Sequence, residues 1–495
     1  MRSILAGIET EYGLLIETRG AQDQIEDAMG FVRGYPGKAH VGWDYRHESP
    51  RADLRGFRLE SLAVDPIDAK FDVGKSLGRD HEVRSDRVLP NGARFYNDHG
   101  HPEYSTPECW SLKELAHHDR AGQIVLMRAA EAFTKKSGLK ASVYKNNTDF
   151  HGSSYGTHES YLIPRAFGFE KMLAAILPML VVRQILTGAG KVGAESGRSA
   201  TFQLSQRADF FVEPANAETL FRRPIFNTRD EPHTVHADWI RLHVISGDAN
   251  MMPGCTARKA GLVKLAIHLM EAETAPVWRM EDPVKAFQDL SRDESQEFKI
   301  PLEGNSWTTG FEIFESYFAA AEQTLDLDSE LTETIQSCRE LLVALREDPK
   351  KFRRSVDWAA KRSILEQFMA EEQTDWRDPA LASYDLEYHN INAEEGLYSA
   401  LLDMGEIEAE PDAADLLACL QGVNESTRAY ARGLAVKKFS SAISGVCWRS
   451  ITFNVDGVTE EVELWPNANY STQLETATDV GTFIKLLKSV RPLDA

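Results

Sequence analysis

Polar and apolar residues alternate along "SILAGIETEYGLLIE", which predicts a strand from about Ile4 to Ile16 with Glu9 and Glu11 on the same face. A face carrying two carboxylates is not ordinary core. The pattern breaks from Asp44 to Arg87, where dense charge and poor periodicity predict a long mobile loop. Beyond it, "ARFYND" predicts a strand, about Ser111 to Lys136 a helix, and "KASVYKNN" a second strand, with another following the Gly-rich "HGSSYGTHESYLI". From Asp282 to Gln421 apolar residues recur at helical intervals, as in "SWTTGFEIFESYFAAAEQTL" and "SVDWAAKRSILEQFMAEE", so this half is expected to buttress the sheet. After "GVNESTRAYARG" come a predicted short helix, two strands in "SITFNVDGVTEEVELWP" joined at the Asp-Gly turn, and a final helix near Thr482 to Val490. The expected division is a large unit, residues 1–425, and a small C-terminal unit, residues 426–495.

Composition narrows the function. With 495 residues and 42% hydrophobic content the chain can bury a large core. Its 55 basic and 76 acidic residues give a formal charge of −21, which argues against nucleic acid as a partner. Cys109, Cys255, Cys338, Cys419 and Cys447 are odd in number and scattered, so neither a disulfide framework nor a zinc ribbon is indicated. Two glutamates within the first eleven residues rule out a signal-peptide core there, and no apolar run of membrane-spanning length occurs. A cytoplasmic protein without membrane partners is expected.

The densest chemistry lies in "NGARFYNDHGHPEYSTPE", Asn91 to Glu108. Arg94, Tyr96 and Asp98 share a strand face, and Glu103 and Glu108 lie beyond an expected Gly-Pro turn fixed by Pro102. Hard oxygen ligands beside a guanidinium suit a Mg²⁺-bound nucleotide: carboxylates hold the ion and the arginine takes phosphate oxygens. Glu9 and Glu11, side by side on their strand, repel unless a cation or a proton separates them. A charged hairpin and an acidic edge strand, both facing water, account for the same residues, so the alternative stays open at this point. Asn146, Asn147 and His158 sit beside glycines, and Arg241 and His243 share a strand face; they matter only if they converge. "GAGKVG" at Gly188 to Gly193 has the wrong spacing for a phosphate loop, and Val192 stands where a hydroxyl is needed.

Seven motifs in order, "GIETEYG", "NGARFYNDHGHPEYSTPEC", "YKNNTD", "SYGTHESYL", "SQRADF", "NTRDEPH" and "RLHVISGDANM", resemble the Pup ligase and Pup deamidase/depupylase family, the PafA and Dop enzymes of prokaryotic ubiquitin-like tagging. The helical half and the C-terminal segment match more loosely, through "DWAAKR", "DLEYH" and "TRAYARG". The resemblance implies an α+β fold: a glutamine-synthetase-like large domain whose antiparallel sheet forms a cradle backed by helices, followed by a small C-terminal α/β domain. It implies ATP or ADP and Mg²⁺ as cofactors, and Pup and pupylated proteins as partners. By the same resemblance Glu9, Tyr96 and Glu103 bind Mg²⁺ with Glu11 as companion. Arg94, Thr106 and Trp448 contact nucleotide, and Asp98 is catalytic. His158, Arg241 and His243 line the same cradle, the histidines assigned to metal and the arginine to nucleotide.

Two features resemble the hydrolase branch. "WDYRHESPRADLRGF" with the long stretch behind it resembles the loop characteristic of Dop, and "DHGHPEYS" is nearer its "DHAHPEYS" than the ligase's "DVGSHPEYA". The chain departs from the family at Ser160, usually Asn, and at Gly100, commonly Ala. The expected activity is hydrolysis of a side-chain amide: deamidation of the C-terminal Gln of Pup, cleavage of the Pup–lysine isopeptide bond, or both. An ATP-dependent Pup ligase is the alternative, ahead of another carboxylate–amine ligase or a catalytically dead regulator.

Overall fold

The first alternating stretch folds as two strands, β1 (Ala6–Glu11) and β2 (Gly13–Ile16), not one. This corrects the single strand expected over Ile4 to Ile16. The chain turns at Tyr12, whose ring is fully buried and whose N–H donates to the Pro102 carbonyl at 2.9 Å. The computed structural model describes residues 2–60, 83–150, 152–195, 197–234, 237–470 and 473–493.

In chain order the next strands are β3 (His40–Val41), β4 (Arg87–Val88), β5 (Arg94–Asp98), β6 (His101–Ser105), β7 (Ala141–Tyr144) and β8 (Thr157–Pro164). Two short pairs follow, β9 (Lys191–Val192) with β10 (Phe202–Gln203) and β11 (Phe211–Asn216) with β12 (Arg223–Asn227), and then β13 (Trp239–Val244). The main sheet has the order β13-β8-β1-β6-β5-β4-β3, antiparallel throughout, while β2 leaves it to pair with β7.

Register decides which side chains meet. Glu11 stands opposite Glu103, which stands opposite Tyr96; Glu9 lies between Ser105 and His158; His243 faces Ser160. The two-residue period therefore turns the polar set to one face and sends Ile8, Phe95, Tyr104, Tyr161 and Leu242 to the other, where all are buried. The helix Leu112–Ser137 covers that back face, started by a Ser111–Glu114 capping box and stopped by left-handed Gly138. It can approach closely because Gly122 has no side chain: a Cβ there would stand 2.4 Å from the Tyr104 ring. Among the described residues no helix is long and apolar enough to cross a membrane.

The helical half holds as expected, with one correction. "SWTT" is not the start of a helix but strand β15 (Ser306–Thr309), paired with β14 (Lys299–Leu302); the helix begins at Gly310, where Thr309 caps it. Near the C-terminus, Arg428–Phe439 is helical, β16 (Ile443–Val446), β17 (Ser450–Val455) and β18 (Val458–Glu463) form a sheet, and Val480–Ser489 closes the chain. Asp456 and Gly457 both have positive φ at the β17–β18 turn. The apolar cluster under this sheet takes in Trp43 and Val88 from the N-terminal part.

Residues 44–60, the near end of the expected loop, are anchored: Asp44 N–H donates to Val446 O at 2.8 Å and Leu54 N–H to Thr228 O at 2.8 Å. The far end is tied too, Asn97 Nδ2 donating to the Val83 carbonyl at 3.0 Å. The expected mobile middle, residues 61–82, lies outside the described residues.

Candidate active site

Asp98 ends β5 at a two-residue hairpin, His99–Gly100, in which both residues have positive φ. A primed turn needs that conformation, which Gly100 adopts without strain. Pro102 lies inside β6 instead of fixing the turn, and Glu103 is a strand residue facing Tyr96. Glu108, grouped with Glu103 by sequence, borders the adjoining recess and not the carboxylate cluster: it holds Arg428 and Arg432 at 2.6 Å each, and although burial opposes its ionisation their charges bring its pKa to about 2.

Two clusters of candidate ligands occupy the polar face, the first all carboxylates and the second a carboxylate with two histidines. Ligand atoms of Glu11, Asp98 and Glu103 lie within 4.8 Å of one another, as do those of Glu9, His158 and His243. Tyr96 Oη donates to Glu103 at 2.5 Å, and Gly156 N–H donates to Glu11 at 2.8 Å. Among the described residues neither glutamate has a basic partner within salt-bridge distance. Burial, then the Asp98 charge, pushes Glu11 up to about 8. Burial, then Glu9, Asp98 and Glu11, holds the Glu103 carboxyl well above the usual range. Burial also works against Glu9, but hydrogen bonds with His158 and His243 win and lower it. His243 Nε2 is 3.1 Å and His158 Nδ1 3.4 Å from Glu9 Oε1. This donor set, rich in carboxylate oxygen and short of cations, fits a hard divalent ion.

Asp98 differs from its neighbours. Burial opposes its ionisation, yet His99 and Arg84 override it and keep the carboxylate charged. Arg84 Nη1 is 2.5 Å from one oxygen and His99 Nδ1 3.2 Å from the other.

The polar face floors a cleft with about 1370 Å³ of empty space open to solvent. A recess of about 590 Å³ adjoins it, lined by Leu5, Ala6, Leu162, Thr106, Pro232 and Trp448 among others. Glu9, Arg241, His233 and Trp448 border both. Thr106 Oγ1 accepts the Ile8 N–H at 3.0 Å, fixing the recess floor. Trp448 packs on Trp43 at 4.9 Å between ring centres. Arg241 donates Nη1 to Ser160 Oγ at 3.3 Å and stands 3.8 Å from Glu9, so the departure at Ser160 lands on a contact within the site. Arg94 borders the cleft but is held: its Nη2 is 2.7 Å from Asp86, and its guanidinium lies 3.7 Å from the Tyr96 ring centre. All the sequence-selected residues thus line the cleft, the recess or both, whereas Asn146 and Asn147 are buried supports.

A family model described as "Pup-ligase protein" matches residues 4–452. The chain belongs to that family. It is 35% identical over 466 residues to a depupylase of Acidothermus cellulolyticus, covering 91% of each chain. It is 38% identical over 380 residues to a Pup–protein ligase of Acidimicrobium ferrooxidans, covering 74% of this chain and 82% of the relative. The Pup ligase PafA solved in complex with ADP superposes with a TM-score of 0.72 at 28% identity, covering 87% of this chain and 95% of that one. The α+β fold expected of a family member, an antiparallel sheet backed by helices, is the one observed.

Several cleft residues of this family member were assigned no role from sequence. Arg207 lies in "SQRADF", and Arg229, Glu231 and His233 in "NTRDEPH". The motifs were visible, but nothing in their spacing announced chemistry. Arg84 had no signal at all, because it lies in the charge-rich stretch read as loop.

Proposed function

We propose that the chain is a nucleotide- and Mg²⁺-dependent amide hydrolase acting on Pup, deamidating its C-terminal Gln, cleaving its isopeptide bond to lysine, or both. The observation that carries this reading is Asp98, a carboxylate kept charged in a cluster whose other members, Glu11 and Glu103, resist ionisation. Similarity to a depupylase over 91% of both chains supports the hydrolase branch.

In this reading Glu9, Glu11, Tyr96, Glu103, His158 and His243 hold Mg²⁺, while Arg94, Thr106, Arg241 and Trp448 contact ATP or ADP. Bound Mg²⁺ supplies the positive charge that lets neighbouring carboxylates ionise together and that orients phosphate oxygens. The apolar recess receives the nucleoside end. Asp98 then attacks the amide carbonyl as nucleophile or takes a proton from the attacking water, and either route uses its ionised form. Arg84 and His99 preserve that form, and Arg84 must yield or share Oδ1 as substrate approaches. Residues 426–495 act as a C-terminal unit contributing Trp448. A cytoplasmic location belongs to the same proposal, supported by five free cysteines.

The ligase alternative has specific support in the similarity to PafA and to a Pup–protein ligase. Incubation with Mg²⁺, nucleotide and either Gln-ended Pup or a Pup–lysine conjugate, with products weighed by mass spectrometry and ADP assayed in parallel, separates the two. Amide cleavage without matching ADP formation is expected. One ADP for each newly joined product would overturn the hydrolase reading.

A further inference from the structure

We propose that Arg207 recognises a free α-carboxylate on the substrate, restricting the enzyme to a side-chain amide carried by a chain-terminal residue. The inference rests on the proposed function: deamidation, depupylation and ligation all act at the side-chain carbonyl of a C-terminal Glu or Gln and leave the adjoining α-carboxylate charged. That charge needs a counter-ion inside the cleft.

Most other guanidiniums facing the reactive carboxylates are committed. Arg84 is 2.5 Å from Asp98, Arg94 is 2.7 Å from Asp86, and Arg241 lies 3.8 Å from both Glu9 and Glu231. Arg207 is 1% exposed, borders the cleft, donates Nη1 to the Ile245 carbonyl, and has no protein partner for Nε. Among the described residues it joins no ion pair. Burial and then the nearby Arg223 charge pull its pKa down to about 9, the mark of a cation short of an anion.

The group is also built in place. Ser205 Oγ accepts the Arg207 backbone N–H at 3.1 Å and donates to Asp248 at 2.7 Å, and Asp248 also accepts the Gln206 backbone N–H at 3.1 Å. The Phe211 ring centre lies 5.3 Å from the guanidinium carbon. With its backbone held at Ser205 and its guanidinium held by the Ile245 carbonyl and the Phe211 ring, Arg207 presents a ready fork to a carboxylate.

Position selects the anion. The recess at the Leu5 to Ile8 end does not include Arg207. Arg207 borders the cleft with Ser154, Gly156, Leu220 and Arg223, and its charge acts on Glu11 and His158. Arg223 ties that wall together by donating to the Ser154 and Thr219 carbonyls at 2.9 and 3.0 Å. The substrate terminus, not the nucleotide, is therefore the anion assigned to Arg207.

The test compares Gln-ended Pup bearing a free α-carboxylate with the same protein ending in an α-carboxamide, using the full chain with Mg²⁺ and nucleotide. The unmodified enzyme is expected to favour the free acid by roughly 100-fold in kcat/KM. Arg207→Met should lose about that factor on the acid and little on the carboxamide, with nucleotide Kd unchanged, and Arg207→Lys should keep part of the preference. Equal use of both substrates by the unmodified enzyme would overturn the inference, as would an equal loss on both in Arg207→Met. Weakened nucleotide binding in step with turnover would assign Arg207 to phosphate instead. If Arg207→Met fails to fold, the unmodified enzyme's preference and Arg207→Lys decide. Turnover of neither substrate by the unmodified enzyme would overturn the parent reading, and the inference with it.

Discussion

On the back of the sheet, Glu159 accepts from both Nη atoms of Arg183 at 2.8 Å; on the front, its neighbour His158 faces Glu9 in a cluster completed by His243, next to the Glu11, Asp98 and Glu103 carboxylates. Asp119, on the helix covering the back, is likewise matched by Lys145 at 2.6 Å. Burial acts on Glu159 too, but Arg183 and then Lys259 bring its pKa below the ordinary value. Glu11 and Glu103, buried on the front without such partners, go the other way. The back face balances Glu159 and Asp119 internally, as a structural pair must. Among the described residues, the front face leaves Glu11 and Glu103 without a protein counter-charge within salt-bridge distance. Asp98 is the exception in its own cluster, ionised beside Glu11 and Glu103, and this contrast supports the proposal that it is the reactive group.

The largest effect is expected from Asp98→Asn, which keeps shape and removes charge. Amide hydrolysis should fall by about 1000-fold or more while nucleotide affinity and melting temperature hold, checked by single-turnover cleavage beside calorimetry. Full cleavage by this variant would end the distinction between Asp98 and its neighbours.

Glu159→Gln on the back should leave Arg183 buried without its counter-charge and destabilise the fold by about 3–5 kcal/mol, read from urea unfolding. Glu103→Gln on the front should do the opposite in chelator, raising the melting temperature because folding no longer has to bury and protonate a carboxylate, and should cost about 100-fold in Mg²⁺-dependent nucleotide affinity. Matching stability losses in the two variants would erase the contrast between the faces.

The smallest effect is in pH dependence. Glu11 titrates at about 8 in the folded protein against an ordinary value of 4.5. Between those values the folded state binds more protons than the unfolded one, so Mg²⁺-free stability should decline as pH rises through that window. Glu11→Gln should flatten the decline in thermal melts, and saturating Mg²⁺ should do the same for the unmodified chain. A slope unchanged by both would locate the titration elsewhere.

Much of the site was legible because a strand's period is local. Glu9 and Glu11 share a face whatever the fold around them, and so do Arg94, Tyr96 and Asp98. Ordered motifs extended this to a family and hence to a cradle. That Glu108 borders the recess while Glu103 borders the cleft was not legible, because adjacency in sequence cannot tell which way a carboxylate faces once the strand has ended. The break at Tyr12 was invisible for a related reason: alternation continues through it, and only the partners β6 and β7 divide the stretch between two sheets.

The sequence by itself determined which residues can share a strand face, where the Ser111–Glu114 cap starts a helix, and which family the motifs resemble, since these depend on short-range geometry or on residue identity. Tertiary structure alone decided the register that sets Glu11 against Glu103, the pairing that spares Glu159 and strands Glu103, and the arrival of Arg84 and Arg207 at the cleft. Those outcomes depend on distances between segments far apart in the chain, and charge acts through space: a carboxylate's protonation follows from what is packed beside it, which no local pattern records.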